Sequence, residues 1–365
     1  MKRILCIISS LDAGGAETFL IKVYRELSSL GYQFDFIVSK DNGVYTQEVL
    51  NRGGRIFLVP TRSKNLFGAL NGIRKVVKEN KYEYVLKLGE HSLAVLDLIV
   101  AKLGGAKILA VRACNAPTGL SLLYRALHTT IRPILNGIAD VKIAPSRLAA
   151  EFLFGKAGDV HLLHNGVDLN VYKYDILGRE AVRKEFDLNN KLVIGHIGRF
   201  HKQKNHLFLL KVFQKICALR DDAVLLLIGS GELQDKICKW ITDFELEGKV
   251  LLLGQRFDIP QLLSAMDVFV FPSLHEGMPN TIIEAQATGL PCVIADTITP
   301  EAAITGLVTY LPLETSPQKW AETALHSVIH ERIDTSEAFI ANGYDIESVT
   351  REFIWLFEHQ GEYKK

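Results

Sequence analysis

Short runs rich in β-branched, aliphatic and aromatic residues alternate with stretches of helical period along the whole chain. Arg3–Ile8 reads as a first strand, followed by the loop Leu11-Asp12-Ala13-Gly14-Gly15 and a helix from about Ala16 to Leu30. Phe34–Val38, Arg55–Val59, Tyr84–Leu88, Lys107–Val111 and Val141–Ala144 are further strands, with helical segments between most of them. The pattern then restarts with Leu192–Gly198, and Asn205 is placed to cap a helix running to about Arg220. Val224–Ile228, Val250–Leu253, Val268–Phe271, Cys292–Ala295 and Leu307–Leu311 follow as strands. The helices expected between them are Glu232–Phe244, Ile259–Met266, Pro279–Gly289 and Pro317–Val328.

This alternation predicts an α/β protein of βαβ units with parallel sheets. The polar stretch from Asp168 to Lys191 separates the two series and reads as a linker. Two doubly wound, Rossmann-like domains are expected, residues 1–170 and 171–345. Facing one another, they would hold a ligand in a central cleft at their strand C-termini.

At 365 residues, two domains are accommodated easily. A net charge of +1 gives no reason to expect nucleic acid as a partner. The five cysteines contain no C-x-x-C pair, which disfavours a disulfide framework or a zinc site and fits a cytoplasmic setting. The apolar run after Lys2-Arg3 ends at Ser9, too soon for a secretory core. Ser92–Val111 is interrupted by Asp97, Lys102 and Lys107, so it does not read as a membrane span.

The chemistry concentrates between Phe269 and Ala285. A buried strand ends at Phe271, a loop follows, and Pro279 is expected at the first position of a helix. Free backbone N–H groups in the segment from Gly277 through Met278 and Pro279 to Asn280, with the positive end of the helix dipole, suit a diphosphate, Pro279 itself having no N–H to offer. Glu284 lies about 7–8 Å further along that helix, and a carboxylate matches the paired hydroxyls of a ribose. Glu276 stands in the loop, where it can accept from sugar hydroxyls. Arg199 and Lys204 follow the restarted strand and could offset charge on a departing diphosphate. Each glutamate alone equally suits the acidic preference of a helix N-terminal region.

Taken together, these segments resemble retaining GT-B glycosyltransferases of glycosyltransferase family 4, of the capsular or exopolysaccharide type. The resemblance runs through Gly14-Gly15-Ala16-Glu17, His164-Asn165-Gly166-Val167-Asp168, Gly198-Arg199, Lys204-Asn205 and Glu276 through Glu284 to Pro291. It implies donor-phosphate contacts from Arg199 and Lys204, sugar recognition by Glu276 with the backbone of Gly277 and Met278, and ribose recognition by Glu284. It also places Gly14 and Gly15 near the donor. The 346–365 helix would return to the N-terminal domain. The implied reaction is metal-independent hexosyl transfer, without a cofactor, from a nucleotide sugar, by family habit a UDP-sugar. The implied acceptor is a growing glycan or a lipid-linked saccharide.

One stretch departs from that pattern. Polysaccharide-type relatives carry Ala-His-Ser-His-Asn where this chain has Val111-Arg112-Ala113-Cys114-Asn115. His91 is the nearest remaining candidate for a catalytic histidine, and Arg112 can supply charge but not proton transfer. A nucleotide-sugar epimerase and a non-catalytic donor-binding subunit therefore stay open as alternatives.

Ser121, Arg125, His128, Thr129 and Arg132 fall on one helix face, opposite Leu123, Leu127, Ile131 and Ile134. With the basic loop from Thr61 to Phe67, the polar face would suit peripheral contact with an anionic membrane on the inner side of the cell. A solvated face over a packed helix explains the same pattern.

Overall fold

The computed structural model describes residues 1–365 except 13, 41–42, 115–120, 157 and 360–365. Its chain divides into two compact units, one of Met1–Gly166 with Gly343–Lys365 and one of Val167–Asn342. These divisions fall a few residues ahead of those expected at 170/171 and 345/346.

The first unit holds seven strands: β1 (Lys2–Ile7), β2 (Tyr32–Val38), β3 (Ile56–Leu58), β4 (Tyr84–Gly89), β5 (Ile108–Ala113), β6 (Val141–Ala144) and β7 (Val160–Leu162). All are parallel, in the order β3-β2-β1-β4-β5-β6-β7. The second holds β8 (Leu192–Ile197), β9 (Ala223–Ile228), β10 (Val250–Gly254), β11 (Val268–Phe271), β12 (Cys292–Ala295) and β13 (Val308–Leu311). It repeats the plan as β10-β9-β8-β11-β12-β13, again parallel. Every residue of β2, β8 and β9 is buried, as in a parallel sheet covered on both faces by crossover helices. In each unit the chain winds outward from the first strand in both directions. The loops after β1 and β4, and after β8 and β11, therefore sit at topological switch points, where crevices form beyond strand C-termini.

The helix Ile346–Glu358 packs on Gly15–Leu27 within the first unit, burying Val349, Phe353 and Phe357 among Phe19, Leu20 and Phe34. Phe353 meets Phe34 edge-on at 5.8 Å, the geometry that aromatic quadrupoles favour.

Several expectations need correction. The segment read as a linker contains the helix Ile176–Glu185, capped by Asp175, whose Oδ1 accepts from Gly178 N–H. Arg179 and Arg183 both pair with Asp267 and donate to carbonyls at the end of the helix Ile259–Ala265, so this stretch belongs to the second unit. Its charged composition is not a solvated run but a cap on another helix. Strand β7 has no counterpart among the expected strands, being three residues long with a histidine at its centre. Asn205 does precede a helix, His206–Leu219, but in the left-handed region (φ 55°) and without a side-chain cap. Pro279 is the N-cap residue of Asn280–Ala287 rather than its first helical residue.

The helix Leu122–Ile138 departs from the expected faces at His128, which is turned inward, and at Leu123, Leu127 and Ile134, which are turned outward. His128 is buried: its Nδ1 accepts from Ser92 N–H, Nε2 lies 2.8 Å from the Phe152 carbonyl, and its ring stacks on Phe152. Asn136 donates to the Phe154 carbonyl. These contacts satisfy the open carbonyls of the helix Arg147–Phe154. His128 thus turns inward beside Leu135, with Ile131 and Ile138 packed on the same core, while Leu123, Leu127 and Ile134 are exposed together with Arg125 and Thr129. No helix among the described residues is long and apolar enough to cross a membrane.

Candidate functional site

Adjacent strands β8 and β11 bring two distant segments together. The loop after β8 carries Arg199 and the short helical turn Lys202–Lys204, and the loop after β11 runs from Pro272 to Pro279. Lys204 Nζ pairs with Glu276 Oε1 at 2.6 Å, with side chains 16% and 9% exposed. The same ammonium stands 4.6 Å from the centroid of the Phe271 ring. Gln203 Nε2 donates to the His275 carbonyl, and Leu274 N–H to the Gln203 carbonyl. On the other side, Thr297 Oγ1 donates to the Ser273 carbonyl and Glu276 forms a parallel bridge with Ile298. The 273–278 loop is thus held from both flanks, which fixes the Glu276 carboxylate at the sheet edge.

Beyond it, Met278 and Pro279 are buried and Gly277 is partly so. The N-terminus of Asn280–Ala287 has no side-chain cap, so its first turn presents a positive dipole end. One turn on, Glu284 is 7% exposed on a helix whose residues from Ile282 to Ala287 are all buried. Gln286 locks that helix: its amide donates to the Ile282 and Ala302 carbonyls and accepts from Ile304 N–H, Thr305 N–H and Thr305 Oγ1. At the far end, Arg332 donates to the Thr288 carbonyl.

The Arg199 loop rests on a feature that the motifs do not include, the Gly229-Ser230-Gly231 turn after β9. Phe200 N–H donates to the Ser230 carbonyl, and Leu233 N–H donates to the Phe200 carbonyl. Gly229 has φ 140°, and a Cβ there would collide with the Gly198 carbonyl oxygen. Two glycines directly after a fully apolar strand are the sequence signal for this close backbone approach. Gly229→Ala is expected to lower the stability of the second unit by about 2–3 kcal/mol. Urea unfolding checks this, and an unchanged midpoint would remove Gly229 from the site's support.

In the first unit, Gly14 and Gly15 open the helix that follows the β1 loop, Gly14 as N-cap and Gly15 as first residue. The space beside Gly14 is not left vacant: the Glu17 carboxylate occupies it, and any Cβ at position 14 would strike it. Burial raises the Glu17 pKa, and Glu90 and Asp12 push in the same direction. Ala13 of this loop lies outside the described residues. His91 follows β4 at the same switch point. Its ring meets Tyr124 edge-on at 5.8 Å, and its buried Nδ1 has no hydrogen-bond partner. Burial lowers its pKa against the opposing pull of Glu90, keeping the ring neutral near pH 7.

Arg112 does not face a site. It is fully buried, its guanidinium 3.7 Å from the centroid of the Phe19 ring and donating to Asn165 Oδ1. Burial lowers its pKa to about 10, so it stays cationic in the core. The Cys114 thiol is pushed up to about 12 by burial, leaving no thiolate at neutral pH. Asn115 lies outside the described residues. Asn165 belongs to the turn that closes the first unit, where His164 stacks on Tyr344 at 4.1 Å.

Residues 178–346 match the family model for glycosyl transferases group 1, and residues 13–171 match the model for glycosyltransferase family 4. EpsF of Bacillus subtilis (strain 168), named as a glycosyltransferase, is 34% identical over 88% of this chain and 86% of its own length. The chain is a group 1 glycosyltransferase. A second relative of this glycosyltransferase is an Escherichia coli enzyme named UDP-Gal:alpha-D-GlcNAc-diphosphoundecaprenol alpha-1,3-galactosyltransferase. It is 30% identical over 72% of each chain. Among solved structures, Anabaena HepE in complex with UDP and glucose superimposes with a TM-score of 0.79 at 21% identity, covering 98% of this chain and 100% of that one. That likeness gives the fold, GT-B, built here from two Rossmann-like units.

Proposed function

We propose that this glycosyltransferase moves a hexosyl unit, with retention and without a metal, from a UDP-sugar to a lipid-linked saccharide in surface-polysaccharide synthesis. The observation that carries the reading is the Lys204–Glu276 pair, fixed beside the uncapped N-terminus of Asn280–Ala287, with Glu284 buried one turn further on. A diphosphate at that helix terminus meets N–H groups and the positive dipole end. Lys204 and the exposed Arg199 then offset the charge that grows on it as the glycosidic bond breaks. Glu276 accepts from sugar hydroxyls, and Glu284 accepts from the ribose. The UDP in the HepE structure and the lipid-diphosphate acceptor in the E. coli relative's name support this choice of donor and acceptor.

No enzyme nucleophile is required, since the leaving diphosphate can take the acceptor proton, and His91, neutral near pH 7, is available on the acceptor side. Calorimetric titration with UDP tests the donor half. Glu284→Gln is expected to weaken UDP binding about tenfold or more, because one acceptor of a paired hydroxyl contact becomes a donor. Glu276→Ala should leave UDP affinity nearly unchanged while altering preference among UDP-sugars. Equal UDP affinity for Glu284→Gln and wild type would refute the ribose assignment. Transfer abolished by a chelator would refute the metal-free mechanism. Conversion of the donor without acceptor would mark an epimerase, and binding with neither transfer nor donor hydrolysis a non-catalytic subunit.

A further inference from the structure

The helix Leu122–Ile138 leaves four large apolar side chains exposed on the outside of the first unit. Leu122 and Leu123 are 84% and 81% exposed, and Leu127 and Ile134 are about half exposed. Leu123, Leu127 and Ile134 fall on one stripe along the helix, with Thr130 between the last two. The inward side is already packed through Leu135, Ile131 and Ile138 and the His128 and Asn136 contacts, so the stripe is not a core face awaiting a partner within this unit.

A second exposed apolar group lies at the start of the helix Leu66–Asn80, where Phe67 is 84% exposed beside Leu66. Both groups border the same segment. Tyr124 of the first helix meets His91 edge-on, and Arg62, just ahead of Leu66, pairs with Asp97. Charge separates the occupants such a surface could take. Neither residues 61–67 nor residues 122–138 contain an aspartate or glutamate, and both carry cations. Lys64 and Arg125 are exposed and have no ion pair among the described residues. A second copy of this chain presenting the same face would set cations against cations. An anionic lipid surface would instead receive the leucines at the acyl boundary and the cations at its phosphates.

We propose that the outer face of Leu122–Ile138, with Phe67 and Lys64 at its border, is the surface by which this glycosyltransferase docks on an anionic membrane. The proposal extends the lipid-linked acceptor reading, but it is tested without any transfer reaction. The purified full chain is floated with vesicles of phosphatidylcholine alone and of phosphatidylcholine with phosphatidylglycerol. Binding is expected to the second kind and to weaken as salt is raised. Leu123→Glu/Leu127→Glu is expected to lower the bound fraction about tenfold or more, and Arg125→Glu severalfold, with thermal midpoints unchanged.

Wild-type protein that fails to float, or a double variant that floats equally well, would overturn the proposal. So would a concentration-dependent dimer in sedimentation that the double variant dissolves, which would assign the face to a second copy. A chain that floats but does not bind UDP would sink the donor reading and leave this one standing.

Discussion

Lys204→Ala is expected to reduce kcat by about two to three orders of magnitude, the range seen when one preorganised donor to developing negative charge is removed. The same change should also destabilise the second unit, and for a separate reason. Glu276 is 9% exposed, and its carboxylate is paired with Lys204 at 2.6 Å. Deleting the cation strands a largely buried anion, a loss of order 3 kcal/mol for a pair this enclosed. The two effects are separable. Lys204→Met combined with Glu276→Gln removes both charges at similar volume and should recover most of the unfolding free energy while transfer stays low. If the double variant regained activity along with stability, Lys204 would be a structural counter-ion and not a donor-phosphate ligand. A Lys204→Ala enzyme within threefold of wild type would be equally fatal to the phosphate role.

That this pair forms is not legible in the sequence, although each partner is. Residues 204 and 276 are 72 positions apart, and what joins them is the strand order β9-β8-β11, which places the restarted strand next to the fourth strand of its unit. Periodicity identifies buried strands one at a time; it does not say which two will be neighbours. The chemistry-bearing loops are legible because each follows a strand-like, mostly apolar run and begins at a glycine or proline, Gly198 and Pro272.

Where sequence and structure part, a polar residue has a partner that no local pattern discloses. Arg179 and Arg183 look like a solvated linker until Asp267 and the 264–266 carbonyls supply their bonds. The helix Leu122–Ile138 buries His128 beside Leu135, although its period assigns His128 to the polar face. A helical period does not disclose which single polar side chain turns inward, and the carbonyls at Phe152 and Phe154 supply partners for His128 and Asn136. In Val111-Arg112-Ala113, the arginine suggests a site but is buried against Phe19 and Asn165, a substitution of packing as much as of charge.

The second unit is expected to lose stability in mild acid because of two histidines that the apolar pattern conceals. His196 lies within β8, fully buried between Phe269 and Phe271, with Nδ1 2.9 Å from the Val270 carbonyl and Nε2 without a partner. His206, next but one to Lys204, is 1% exposed, and neither ring nitrogen has a partner. The two rings meet edge-on at 5.0 Å. Burial lowers the His206 pKa to about 4, with Lys204 adding to the shift, and holds His196 well below its ordinary range. An unfolded histidine takes up its proton near pH 6.5, whereas His206 in the fold resists until about pH 4. Between these values the unfolded chain binds more protons, so stability falls as pH falls, and it is unaffected above the window. From pH 7.5 to 5, His206 alone accounts for about 2 kcal/mol. His206→Phe, which keeps an aromatic ring against Phe200, removes that share. Urea midpoints of the variant should therefore fall less steeply with acid than those of wild type, the remaining slope reflecting His196 and the carboxylates. Parallel slopes would show that protonation of His206 is not what weakens the fold. Because His206 stands just beyond the Lys204 turn, UDP binding by wild type should fail in the same pH window and be retained to lower pH in the variant.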